Sequence, residues 1–148
     1  MRTAANQLEK GILLWSAETG ATSIPGGLGS TSVVTATGCA HGVSGFFGKN
    51  SYTCTAEDHL VAQGVIPEGF SAKLPSNPHY QSNEKGGRLS MMLYYCGTPG
   101  KYAVYWALKN PTSADSSSLD SAISSGCGGA MIRDSWGMRA AKIIQLSP

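Results

Sequence analysis

Four cysteines and three histidines are the residues whose types could do chemistry in this chain. Cys39, Cys54, Cys96 and Cys127 allow three disulfide pairings, and an even count suits an oxidising compartment. Cys39-x-His41 and Cys54-x4-His59 also gather two sulfurs and two imidazoles in a short window. Those are the donors of a tetrahedral zinc site, but neither pair has the usual C-x2–4-C or H-x3–5-H spacing. A cysteine nucleophile would need a histidine and an orienting group beside it. His41, His59 and His79 are scattered among turn residues and read as surface or capping groups. Residues 124–129 (SSGCGG) hold no G-x-S-x-G elbow. Gly26-Gly27 and Gly128-Gly129 do not sit between a strand and a helix, as a phosphate loop requires. No paired carboxylates stand out for acid–base work. The expectation is therefore a non-enzymatic protein, with no catalytic, cofactor or metal residue assigned.

The elements that would position these groups begin with residues 2–19, RTAANQLEKGILLWSAET. Ala5, Leu8, Ile12 and Trp15 recur at the spacing of one helical face, and Leu13 and Leu14 broaden that stripe toward its end. Gly20 is placed to stop the helix in the left-handed conformation. Such a helix is marginal alone and needs a sheet or a partner over its apolar side. No cap precedes it, which predicts that the natural protein continues upstream. Nothing later in the chain reads as a second long helix.

The chain has 148 residues, which makes one domain the expectation, 1–148. Charged residues are 14%, low against an average of about 25%. The net charge of +2 is too small to argue for nucleic acid by itself. No signal peptide is recognisable, and no apolar run approaches the roughly 20 residues that cross a bilayer. Residues 20–85 read as a loop-rich region. It includes a short strand near 32–37 and a Gly-punctuated loop between Cys39 and Cys54. A short helix follows from Thr55 to Gly64, with Thr55 as its N-cap. Residues 86–148 read as an antiparallel sheet and a C-terminal loop. Residues 88–96 and 101–109, joined by Gly97-Thr98-Pro99-Gly100, form the predicted hairpin. Residues 110–118 read as a polar loop and 119–125 as a helical turn. Residues 131–133 and 140–146 are the last expected strands. The fold class is α+β: a long amphipathic helix packed on a small antiparallel sheet.

The hairpin carries Tyr94, Tyr95, Tyr102, Tyr105 and Trp106. Alternation sends Tyr94 and Tyr95 to opposite faces. Inward rings read as core. Outward rings could serve a secreted binding module as a stacking platform for glycan or DNA, aided by Arg88, Lys101 and Lys109.

This order of parts resembles type IV pilins and type II secretion pseudopilins. Residues 60–80, LVAQGVIPEGFSAKLPSNPHY, are similar to the family's "helix, G-Y-I, then L/I-P-x-x-P" stretch. RLSMMLYY and KYAVYWALKN resemble its hairpin, and cysteines border loops on both sides. The resemblance implies a soluble head domain whose missing apolar helical half, with its leader, anchors the subunit in the inner membrane and then packs in a filament. It implies identical or related subunits as partners, an extracellular location, and surface loops at 39–54 and 110–130 for adhesion or uptake. In the proposed layout, Cys39–Cys54 and Cys96–Cys127 each close one loop, and the second would fit the family's loop-to-sheet staple. The expected helix–sheet seam is Leu8, Ile12, Trp15, Tyr102, Val104 and Trp106.

Overall fold

Arg2–Thr19 form one α-helix, α1, of about 27 Å, ended by Gly20 at φ 75°. The Gly20 amide returns to the Ser16 carbonyl at 2.8 Å. The computed structural model describes residues 1–25, 34–35, 38–39, 45–47, 55–79 and 90–146. After α1 come three two-residue strands: β1 (Val34–Thr35), β2 (Gly38–Cys39) and β3 (Gly45–Phe46). Helix α2 (Ala56–Ala62) and a 3-10 turn (Phe70–Lys73) precede the hairpin strands β4 (Met91–Tyr95) and β5 (Lys101–Trp106). Helices α3 (Ser113–Ser124) and α4 (Met131–Asp134) then lead into strand β6 (Ala140–Gln145).

The main sheet is antiparallel throughout, in the order β3-β4-β5-β6, and β1 pairs separately with β2. Its register sets Met91 against Trp106, Leu93 against Val104 and Tyr95 against Tyr102. Trp106 then faces Ala140 across β6, and Tyr102 faces Ile144. Because side chains alternate along a strand, these residues share one face and their neighbours share the other. On the first face, Tyr102, Val104 and Trp106 form one core with Ala5, Leu8 and Ile12 of α1. On the second face, Met92, Ala103, Tyr105 and Ala141 pack with Leu119 and Ala122 of α3 and Ile132 of α4. The result is an α+β arrangement in which helices cover both faces of the sheet.

Four expectations need correction. Residues 113–118 are not a loop: they open α3, a twelve-residue helix. Thr112 starts it with a full capping box, its hydroxyl accepting from the Asp115 amide and the Asp115 carboxylate accepting from the Thr112 amide. The expected strand at 131–133 is the short helix α4, whose Ile132 is anchored in the second core. Within the loop at 39–54, Gly45–Phe46 join the sheet as an edge strand beside Leu93 and Met92. Leu13 and Leu14 do not extend the buried stripe; they are 42% and 59% exposed. At about 100° per residue they rotate off the side that Leu8, Ile12 and Trp15 present to the sheet.

Helix α2 has a second capping box, between Thr55 and Asp58. The sheet's outer edge at β6 is closed locally: the Ala141 amide donates to the Ser118 hydroxyl of α3 at 3.1 Å.

Candidate functional site

The seam between α1 and the sheet holds all six residues singled out for it. Leu8, Ile12, Tyr102 and Val104 are completely buried, Trp106 is buried, and Trp15 is half-buried at the margin of the same core. The stripe forms because Ala5, Leu8 and Ile12 stack on one side of three successive turns. Tyr102 does more than pack. Its hydroxyl accepts the Ile24 amide at 2.7 Å and lies 3.0 Å from the Ser23 hydroxyl, so the chain leaving α1 is tied back to β5. Nothing in the residue pattern marks that bond, since it joins positions almost eighty residues apart.

Two ion pairs border the seam along the N-terminal half of α1. Lys142 of β6 contacts Glu9 of α1 at 2.9 Å. Arg2 of α1 reaches Asp115 of α3 at 2.6 Å, linking helices that lie on opposite faces of the sheet. Asp115 is 5% exposed. The Thr112 amide, then the Thr112 hydroxyl and the Arg2 guanidinium, hold its carboxyl below the usual range, overriding the burial that would raise it.

Cys96 and Cys127 are joined as a disulfide. It ties the end of β4 to the turn after α3, and the Tyr105 hydroxyl of β5 donates to the Cys127 carbonyl beside it. Burial, with a smaller contribution from Tyr94, pushes the Tyr105 phenol above its ordinary value. The Cys39–Cys54 pairing falls outside the described residues, as do the His41 and Cys54 members of the zinc alternative. His59, the remaining imidazole of that set, is buried and donates from Nε2 to the Pro25 carbonyl. His79 is exposed, with Nε2 2.6 Å from the Leu108 carbonyl. Among the described residues no group of three or more metal-binding side chains converges.

The hairpin aromatics do not make an exposed platform. Tyr102, Tyr105 and Trp106 are buried, and Tyr94 and Tyr95 are half-buried, because both faces of the sheet are covered. Of the cations proposed to assist them, Lys101 is turned to the Ser125 carbonyl at 2.7 Å and Arg88 lies outside the described residues. The exposed large apolar side chains among the described residues are instead Leu13 and Leu14 on α1 and Met131 on α4. No described helix is long and apolar enough to cross a membrane.

These features define an α+β domain with an N-terminal helix, a four-stranded antiparallel sheet and a disulfide. Comparison with known families, curated proteins and solved structures returns no match.

Proposed function

We propose that this chain is the pilin-like head domain of a subunit of an extracellular type IV pilus or pseudopilus filament. The observation that carries this reading is the division of α1 into two apolar sides. One side, Leu8 and Ile12, is spent on the chain's own sheet. The other, Leu13 and Leu14, faces solvent. Two adjacent exposed leucines give α1 an apolar surface that its own sheet does not use, and a filament needs a heterologous contact that repeats without closing. In this reading α1 continues an apolar helical half that anchors the precursor in the inner membrane and later packs against neighbouring subunits. The disulfide-held second face would carry the surface used in adhesion or uptake.

The test is assembly in the cells that encode the protein. Filaments sheared from the surface should contain this chain. A Leu13→Glu, Leu14→Glu variant should keep the native melting temperature within a few degrees yet leave the filament fraction. Absence of the unaltered chain from every surface filament would overturn the reading.

A further inference from the structure

The solvent side of α1 carries charges as well as leucines. Lys10, Leu14 and Glu18 follow one another at four-residue intervals, so they stand in one row along the helix. All three are exposed, Leu14 at 59%. Ala17, also exposed, lies beside Leu14 and leaves room for a close approach.

Both charges in the row are unpaired. The ion pairs among the described residues join Arg2 to Asp115, Arg133 to Asp120 and Lys142 to Glu9, and neither Lys10 nor Glu18 takes part. Glu18 is also poorly placed for its own helix. It sits in the last turn, where free carbonyls disfavour a negative charge, and no basic side chain shares that turn. A cation from outside the chain would relieve this.

The row is self-complementary. Leu14 is its midpoint, with a positive end at Lys10 and a negative end at Glu18. Turned end for end about a two-fold axis at Leu14, the row meets its own image: leucine on leucine, and each lysine on the other copy's glutamate. Rows at four-residue spacing are also the ridges that interdigitate in the commonest helix crossing. A parallel pairing in register would set lysine on lysine and glutamate on glutamate, and like charges repel.

We propose that two copies of this chain pair antiparallel through the solvent side of α1, about a two-fold axis at Leu14, with Lys10 of each copy against Glu18 of the other. The contact is small and its ion pairs are exposed, so it forms at high protein concentration. The pairing stands apart from the filament reading. In that reading, copies anchored side by side in one membrane hold their helices parallel and do not form it. A chain paired in this way cannot offer Leu14 to a further subunit.

Sedimentation equilibrium of the full chain, carried to millimolar concentration, should show monomer and dimer with no larger species. Lys10→Glu should weaken the dimer about tenfold, because one substitution turns both attractive pairs repulsive. Glu18→Lys should do the same. Mixing the two variants supplies the control for folding. Every Lys10→Glu copy then carries two acids in the row and every Glu18→Lys copy two bases, so the mixture should pair at least as tightly as the unaltered chain. No dimer from the unaltered chain, association beyond a dimer, undiminished pairing of either variant alone, or no recovery in the mixture overturns the proposal. Each of these leaves the filament reading standing, since neither variant touches Leu13 or Leu14. The converse failure, absence of the chain from surface filaments, would leave this equilibrium unchanged.

Discussion

The two faces of the sheet are held by different means. The α1 face is held by bulk: Leu8, Ile12, Leu93, Tyr102, Val104 and Ile144 fill it. The α3 face also has large buried side chains, Met92, Tyr105, Leu119, Ile132 and Met138, but they are interleaved with Ala103, Ala122 and Ala141, and the helix above it, SADSSSLDSAIS, offers few large apolar side chains of its own. That helix is fastened as well as packed, by the Cys96–Cys127 bond at its end and the Arg2–Asp115 pair at its start. Packing spreads its stabilisation over a whole face, whereas fastening concentrates it at a few atoms. Damage to the first face should therefore be felt throughout the molecule, and damage to the second should stay local.

Truncating the packed face gives the largest expected effect. Ile12→Ala removes a completely buried side chain and should cost about 4 kcal/mol, read as an earlier midpoint in urea at unchanged slope. Hydrogen exchange should quicken across both faces together. Next is the disulfide. A Cys96→Ser, Cys127→Ser variant opens a 31-residue separation and should lose about 3 to 4 kcal/mol. Here exchange should quicken first in α3 and α4, with α1 still protected. Equal loss of protection in α1 would erase the contrast between the faces.

Acid sharpens it further. The folded Asp115 carboxyl titrates below its unfolded value, so its stabilisation is present above the ordinary carboxylate range. It should be lost as the pH falls from about 4 through the lowered folded value. Asp115→Asn should flatten that part of the pH–stability curve, and a curve of unchanged steepness would remove Asp115 from its cause. The smallest effect is Thr112→Ala, about 1 kcal/mol from the lost cap, seen as fraying at the start of α3.

The same contrast explains what could be read from the residues. Helix α1 announces itself because its apolar side chains repeat at 3.6, and strands β4, β5 and β6 because they are short apolar and aromatic runs bounded by turn residues, as suits a sheet covered on both faces. Helix α3 does not. Serines 116, 117 and 118 favour loops by bonding nearby backbone, and only Leu119 and Ala122 mark a buried side. Its one legible sign was Thr112-x-x-Asp115, the same box that marked α2 at Thr55. Residues 131–133 look like strand by composition, yet Ile132 enters the second core from a helical turn. The Arg2–Asp115 pair was beyond reach in principle: it joins side chains from the two ends of the chain that only the finished fold brings together.

The bond from the Ala141 amide to the Ser118 hydroxyl has a wider meaning for colloidal behaviour. An open outermost strand is a template on which stray chains can nucleate cross-β deposits. Here one of its outward donors is taken by a neighbouring helix, and the next residue carries a lysine charge matched to Glu9. Both features disfavour the addition of a foreign strand at this position of β6.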